Sequence, residues 1–240
     1  MSRTTVKVLD LVYTEGVEAP DNFEMLCQEM YENKTRSRVA KFLKQHLDVD
    51  QINSVNGITV KPVQLYLDNF PWEYINSSAV PSDKFHGDVQ PENIIVTPDG
   101  RVVFIDWRDS FAGNTDVGDM YYDLGKLWHD LIVSNQKILQ KRYSVIITGD
   151  SAQISIELKE NLLEAMRTMR HYCLEKNLDW TKVETLGALQ YLTIACLYND
   201  KGFASFLFLL GKLCLELIDS GTESIIDSVK MELLTSGEAV

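Results

Sequence analysis

Closely spaced cysteines are absent from the sequence. The four that occur, Cys27, Cys173, Cys196 and Cys214, form no CxxC pair and no other close pair of the kind that ligates metals. A disulfide framework and a zinc ribbon therefore have no signature here. The wide spacing favours reduced, buried thiols in an intracellular compartment.

Positive charge is scarce as well. The chain carries 23 Lys and Arg against 35 Asp and Glu, which gives a formal net charge of −12. Because binding to a nucleic-acid backbone needs clustered Lys and Arg, this composition excludes a broad nucleic-acid interface. It favours a small molecule as the ligand.

Long apolar runs are also missing. Residues 1–10 lack the apolar core of a secretion signal, and the most apolar stretch, Phe203–Ile218, is interrupted by Lys212 and Glu216. A membrane-spanning helix needs about 20 predominantly apolar residues. We therefore expect no membrane span and a cytoplasmic location.

The first 50 residues predict one extended run and one helix. Thr5–Tyr13 is rich in Val and Leu, which is typical of a strand, and a turn follows at Gly16. Apolar residues then recur at helical spacing up to about His46, and either Asp21 or Asn22 can cap this helix.

The middle of the chain predicts a second helix and a β-hairpin. A polar connection ends near residue 60, and a helix then runs from residue 61 or 63 to Tyr74. Further along, Ile94–Val96 and Val102–Ile105 are short apolar runs that flank Thr97–Arg101. Because that connection contains Pro-Asp-Gly, the pattern indicates a tight hairpin.

The chain after Gly118 has a helical pattern throughout. The predicted helices lie at about Asp119–Ser134, Ser155–Lys176, Thr181–Tyr198 and Phe203–Ser220. Residues 221–240 add one more short helix before a loose end. The expected fold class is therefore mainly α with small β-hairpins, an α+β arrangement.

The chemistry is concentrated in the segment around the predicted hairpin. Asp88 is followed five residues later by Asn93, and Asp106 stands at the end of the second apolar run. An Asp, an Asn and a second Asp at this spacing match the arrangement that kinases use for phosphoryl transfer. The loop allows one carboxylate to face a substrate hydroxyl, while the hairpin returns the second carboxylate beside the Asn to hold a magnesium ion.

Three ordered motifs resemble the aminoglycoside phosphotransferase and choline kinase superfamily, which is protein-kinase-like. His86–Asn93 is similar to its HGDxxxxN loop, Ile105-Asp106-Trp107 to its IDW or IDF motif, and Gly118–Leu127 to its GDxxYDLA segment. Gly87 stands where protein kinases carry Arg, which favours the small-molecule kinases. The run Ile105–Phe111 with the segment after Gly118 resembles, more narrowly, bacterial members associated with surface-glycan assembly.

The resemblance implies roles for individual residues. Asp88 would be the catalytic base, and Asn93 and Asp106 would hold Mg²⁺ and, through it, the phosphates of ATP. His86 and Asp123 would support the loop rather than transfer a proton. Asp109 is a further candidate for metal or substrate contact, with a solvated loop carboxylate as its alternative. Asp119 fits a helix cap or a structural anchor.

A complete enzyme of this kind also has an amino-terminal lobe with a glycine-rich flap and a Lys paired to a helix Glu. Neither is found before residue 85, where only Gly16 and Gly57 supply glycine. The chain is thus expected to be a carboxy-terminal lobe: residues 1–20 are hinge-like, 85–125 catalytic and metal-binding, 126–220 a helical substrate side, and 221–240 a tail.

Two classes of function follow from these observations. The first is ATP-dependent phosphotransfer to a hydroxyl of a small molecule, such as a sugar, an amino-alcohol or a glycan precursor. The second is a non-catalytic binding or regulatory module that keeps the scaffold, or a lobe that needs a partner subunit to supply the missing half. Retention of Asp88, Asn93 and Asp106 favours the first class.

Overall fold

The computed structural model describes residues 2–222. Its helices are α1 (Arg3–Val12), α2 (Phe23–Gln28), α3 (Lys34–Asp50), α4 (Val63–Asp68), α5 (Trp72–Ser77), α6 (Met120–Ile132), α7 (Asn135–Leu139), α8 (Glu160–Glu175), α9 (Trp180–Ala195) and α10 (Lys201–Asp219). Its strands are β1 (Ser54–Val55), β2 (Ile58–Thr59), β3 (Pro81–Ser82), β4 (Ile94–Val96), β5 (Val102–Phe104), β6 (Gly118–Asp119), β7 (Tyr143–Thr148) and β8 (Ser151–Ile156). A π-helical turn, Glu29–Asn33, and a 3₁₀ turn, Pro91–Asn93, complete the regular structure. The predicted fold class, mainly helical with small sheets, is confirmed.

The described chain forms two compact units. The first comprises residues 2–33, Pro71–Ile132 and Lys159–Gly187, and the second comprises Lys34–Phe70, Val133–Leu158 and residues 188–222. Whether they make up the single lobe expected from the sequence stays a prediction.

Helix α6 forms the centre of the first unit. Every residue of α6 except Lys126 is buried, and both α1 and α8 contact it. The β4–β5 hairpin pairs in register, with Ile94 opposite Phe104, as the Pro-Asp-Gly turn predicts. Its turn residue Gly100 has a φ of +78°, which a residue with a side chain rarely adopts.

Helix α10 packs against the sheet of the second unit, whose strand order is β2-β1-β8-β7. The side chain of Lys212 on α10 is fully buried, and its ammonium donates to the backbone oxygens of Asp50 and Ile52 at 3.0 Å each. Its third interaction is with the Asp50 carboxylate at 3.2 Å. These partners compensate for the burial of a charge that the sequence places in an apolar stretch.

The expected extended run at Thr5–Tyr13 is wrong, because α1 is a helix. The hydroxyl of Ser2 accepts from the backbone N–H of Thr5 and caps the helix start. Val8, Leu9 and Val12 lie at helical spacing and are buried on one face. The hinge strand proposed for residues 1–20 is therefore absent over Arg3–Val12.

A second correction concerns residues 126–220, which are not helical throughout. The hairpin β7–β8 interrupts them, with Thr148 paired to Ser151 across a two-residue loop. Gly149 in that loop has a φ of +63°, and β-branched residues dominate β7. The predicted helix that starts at Ser155 begins instead at Glu160.

Smaller differences affect the other elements. The polar connection before residue 62 contains the β1–β2 hairpin, and the predicted second helix is two helices, α4 and α5, with Pro71 between them. The helix predicted up to His46 starts at Phe23 as expected, and its backbone bends at His46. The tail helix predicted after residue 221 lies outside the described residues. None of the helices within residues 2–222 has the length and apolar character that crossing a membrane requires.

Helices α6 and α9 approach closely at two glycines. A Cβ placed on Gly187 would lie 2.2 Å from Cε3 of Trp128, and a Cβ on Gly125 would lie 2.8 Å from Cβ of Leu186. The Trp128 side chain is fully buried and cannot withdraw into solvent. We therefore expect Gly187→Ala to lower the free energy of unfolding by about 1–3 kcal/mol, although Ala favours a helix over Gly by about 1 kcal/mol. Urea unfolding followed by circular dichroism measures this change.

Gly202→Ala is the matched control for that substitution. Gly202 is exposed in the first turn of α10, and the nearest atom to a Cβ there would be Oδ1 of Asp200, at 3.2 Å, which caps the helix by accepting the N–H of Phe203. This variant should be neutral within about 0.5 kcal/mol or more stable. Equal stability of the two variants would contradict the proposed close packing at Gly187.

Candidate active site

A buried carboxylate holds the start of the loop that contains Asp88. Asp123, in the first turn of α6, accepts the backbone N–H of His86 at 2.8 Å and that of Gly87 at 2.7 Å, one on each oxygen. Burial raises the pKa of Asp123 to about 7, an effect that the two amides oppose and the nearby charges of Asp119 and Asp88 reinforce. The loop is thereby fixed to α6.

His86 connects the loop to the strand that precedes Asp106. Its Nδ1 accepts the backbone N–H of Asp88 at 3.1 Å, so the ring proton is on Nε2, which donates to the carbonyl of Ile105 at 3.0 Å. Burial lowers the pKa of His86 and favours this neutral form. The Trp107 ring packs against the imidazole at a tilt of 35°, with centroids 4.6 Å apart.

Asn93 and Asp106 meet at one end of the β4–β5 hairpin. The backbone oxygen of Asn93 accepts the N–H of Ile105 at 3.0 Å, which places Asp106 next to Asn93 across the ladder. The Asn93 amide donates to the backbone oxygen of Asp88 at 3.0 Å. Asp106 is exposed and has a φ of +62°, an uncommon conformation for a residue other than Gly.

Two cations flank the carboxylate of Asp88, whose side chain is 9% exposed. Arg108 donates from Nη2 to Oδ2 at 2.8 Å, and Nζ of Lys126 lies 3.3 Å from Oδ1. Lys126 also lies 2.9 Å from the carboxylate of Asp130 on the next turn of α6. Although burial opposes its charged form, the charges of Asp130 and Asp88 raise the pKa of Lys126.

The approach of Arg108 depends on Gly87. The backbone N–H of Arg108 donates to the carbonyl of His86 at 2.8 Å, which brings its side chain across the loop. A Cβ on Gly87 would lie 2.7 Å from both Cβ and Cγ of Arg108, and Gly87 has a φ of +79°. Position 87 therefore requires glycine on both steric and backbone grounds.

A second buried carboxylate, Asp119, anchors the approach to α6. It accepts the hydroxyl of Tyr31 at 2.5 Å and the backbone N–H groups of Val80 and Tyr121 at 2.9 and 3.0 Å. Burial raises its pKa, while these hydrogen bonds and the charge of Lys182 oppose the shift. These contacts match a structural anchor rather than a substrate-facing group.

The structure places Asp88 and Asn93 on one loop and Asp106 after the second strand of the hairpin that follows it, and their roles as base and metal ligands stay predictions. It leaves Asp109 exposed and without a hydrogen bond to the described residues. Within residues 2–222, no three His, Cys, Asp or Glu side chains converge in a way that could hold a metal.

Sequence reasoning missed the contribution of Arg108, Lys126 and Asp130. A signal was available for two of them, because Asp123, Lys126 and Asp130 follow one another at spacings of three and four on a predicted helix and so share one face. For Arg108 no local pattern exists, since its contact arises from the return of the chain after the hairpin.

The raised pKa of Asp123 predicts a pH dependence of stability. Its ordinary value is 3.8, so between about pH 4 and pH 7 the folded chain holds a proton there that the unfolded chain has lost. The free energy of unfolding should therefore fall as pH rises through this window, by at most about 1.4 kcal/mol per pH unit from this group. Urea unfolding from pH 5 to pH 8 measures it.

Asp123→Asn cannot titrate and should flatten that decline. Some of the decline should remain in the variant, because burial also raises the pKa of Glu184 to about 7. Asp116→Asn, at an exposed loop carboxylate, should leave the pH dependence unchanged. An identical pH dependence in wild type and Asp123→Asn would show that Asp123 is ionised throughout.

Comparison with known proteins adds one finding to this geometry. No match was obtained among curated proteins or among solved structures. Residues 65–144, a third of the chain, match the sequence model of APH, the phosphotransferase enzyme family, and this match includes the Asp88 loop, the hairpin and all of α6.

Proposed function

We propose that the chain takes part in ATP-dependent phosphotransfer to a hydroxyl of a small molecule, such as a sugar, an amino-alcohol or a glycan precursor, in the cytoplasm. The observation that carries the proposal is the backbone hydrogen bond from Ile105 to Asn93, because it pairs Asn93 with the residue before Asp106 while the Asn93 side chain binds the backbone of Asp88. The match of residues 65–144 to the phosphotransferase enzyme family supports it.

The oxygen donors at the hairpin end fit Mg²⁺. The Asn93 amide donates through nitrogen, which leaves its oxygen available, and Asp106 forms no side-chain hydrogen bond within the described part of the chain. Mg²⁺ is commonly held by one or two protein oxygens together with water and substrate phosphates, so a cluster of three acids is not required. When bound to Asn93 and Asp106, the ion neutralises charge on the phosphates of ATP.

Asp88 would receive the proton of the acceptor. The acceptor oxygen forms its bond to the γ-phosphorus of ATP, the bond from that phosphorus to the bridging oxygen breaks, and ADP leaves with the bonding electron pair. The hydroxyl proton passes to the carboxylate of Asp88. Because the transition state of phosphoryl transfer is loose, the base needs correct placement more than high basicity. The backbone N–H of Asp88 bonded to His86 contributes to that placement.

A second candidate is a non-catalytic binding or regulatory module, or a lobe that becomes active only with a partner subunit. The observation in its favour is that Arg108 and Lys126 lie against the two oxygens of Asp88, so an acceptor hydroxyl would have to share an oxygen with a cation in this conformation. The two candidates differ in whether phosphotransfer depends on Asp88.

The test is to measure phosphotransfer from ATP in wild type, Asp88→Asn and Asp106→Asn, with Mg²⁺ and a panel of sugars and amino-alcohols. We expect Asp88→Asn to lower kcat by about 10²–10⁴-fold, the usual contribution of a positioned base. Asp106→Asn should weaken the dependence on Mg²⁺, because it removes a charged oxygen ligand. A thermal-shift screen with the same compounds identifies ligands first, since binding to the folded form raises the Tm.

The control for both variants is Asp116→Asn, which makes the same chemical change at an exposed carboxylate of the same segment. It should retain wild-type activity. Mg²⁺-dependent turnover that survives unchanged in Asp88→Asn and Asp106→Asn would exclude the proposed roles. Saturable ligand binding without any phosphotransfer, alone or with a partner lobe, would favour the non-catalytic module.

A further inference from the structure

The two cations at Asp88 differ in how firmly they are held. The side chain of Lys126 is 13% exposed, and its ammonium keeps the carboxylate of Asp130 at 2.9 Å whether or not Asp88 is available. The side chain of Arg108 is 61% exposed, and within residues 2–222 Asp88 is the one acid it pairs with. Lys126 therefore stays beside Asp88, whereas Arg108 can exchange Asp88 for another anion.

A hydroxyl that gives its proton to Asp88 needs a lone pair that it can reach. Each carboxylate oxygen has two lone pairs, and a cation now lies against each oxygen. Arg108 can turn away from Oδ2 because its side chain is largely exposed, while Lys126 remains to compensate the charge of Asp88. Lys126 is partly enclosed and shared with a second buried acid, so it cannot leave Oδ1 as easily. The acceptor hydroxyl would consequently approach Oδ2, at the place where the guanidinium of Arg108 now lies.

We infer that the acceptor carries an anionic group, a carboxylate or a phosphate ester, close to the hydroxyl that is phosphorylated, and that Arg108 binds this group after leaving Asp88. This inference rests on the proposed function. A guanidinium released from one carboxylate regains its hydrogen bonds most completely on another planar or multidentate anion. The acceptor's anion thus replaces Asp88 as the partner of Arg108.

Charge at the site disfavours the opposite class of acceptor. An amino-alcohol offers the guanidinium of Arg108 no anion, so the hydrogen bond that Arg108 gives up at Asp88 is not replaced. An ammonium group placed beside Arg108 would also meet a like charge at short range. Among the acceptors named in the proposed function, charged sugars therefore fit better than amino-alcohols.

A different role for Arg108 is contact with the transferred phosphate of ATP. If Arg108 has that role, a substitution of Arg108 should lower turnover by a similar factor with every acceptor. Recognition of the acceptor's anion instead changes the affinity for anionic acceptors and leaves neutral ones nearly unaffected. Matched acceptors that differ in charge alone separate the two roles.

The experiment compares five hexose-based probes of similar ring structure. Glucuronate supplies a carboxylate, glucose 6-phosphate and glucose 1-phosphate supply phosphate esters, glucose is neutral, and glucosamine is cationic. Binding is measured by NMR titration in the presence of Mg²⁺ and ATP. In wild type, at least one anionic probe should bind about tenfold more tightly than glucose, since a hydrogen bond to a charged group contributes that much affinity. Glucosamine should bind more weakly than glucose.

Variants then assign the preference to Arg108. Arg108→Gln keeps the length of the side chain without its charge and should reduce the anionic preference to about that of glucose, while Arg108→Lys should retain part of it. Arg101→Gln is the matched control, because Arg101 is an exposed residue of the hairpin turn whose ion pair is with Asp99. It should keep the full preference.

Each result decides the inference. Anionic probes that bind no better than glucose in wild type, including the case in which no probe binds, would overturn it, as would an equal loss in Arg101→Gln and Arg108→Gln. Tighter binding of glucuronate alone, or of the glucose phosphates alone, identifies the acceptor's anionic group as a carboxylate or a phosphate ester. Phosphotransfer without any charge preference refutes this inference alone, whereas a charge preference without phosphotransfer refutes the proposed function alone.

Discussion

The site depends on two backbone amides that donate to one buried carboxylate. The Asp123 oxygens accept the N–H groups of His86 and Gly87, so the loop before Asp88 is attached to a helix that is buried at every residue except Lys126. Burying a carboxylate is expensive unless its hydrogen bonds are satisfied, and the raised pKa of Asp123 shows that two amides compensate only in part. The remaining free-energy cost of burying Asp123 is tolerated because this carboxylate fixes the loop.

Charge around the loop is arranged in alternation rather than spread evenly. From Arg108 through Asp88 and Lys126 to Asp130, each group lies within 3.3 Å of the next and opposite charges follow one another. Two acids and two bases therefore balance one another beside the loop, in a chain whose formal net charge is −12.

Features that depend on neighbouring residues could be predicted from the sequence better than contacts between residues far apart in the chain. The β4–β5 hairpin follows from its own turn residues, and the approach of Asn93 to Asp106 follows from that hairpin. The sequence predicts a strand at α1 because a short run rich in Val and Leu fits either a strand or a buried helix face. The structure forms a helix, which buries Val8, Leu9 and Val12 on one face. The contact between Arg108 and Asp88 has no local signature, since twenty positions separate the two residues and the fold alone joins them.

The steric demand at Gly87 has a consequence for how this chain can vary. Any side chain at position 87 would occupy the space of the Arg108 stem, whose Cβ and Cγ lie 2.7 Å from where a Cβ would stand. A smaller residue at 108 would not remove the conflict, because even alanine has a Cβ, the ring of Phe85 lies 2.9 Å from the same point, and the φ of +79° remains. An arginine at 87, as in protein kinases, therefore requires a different backbone path of the loop, and an engineer cannot introduce it by changing residue 108 alone.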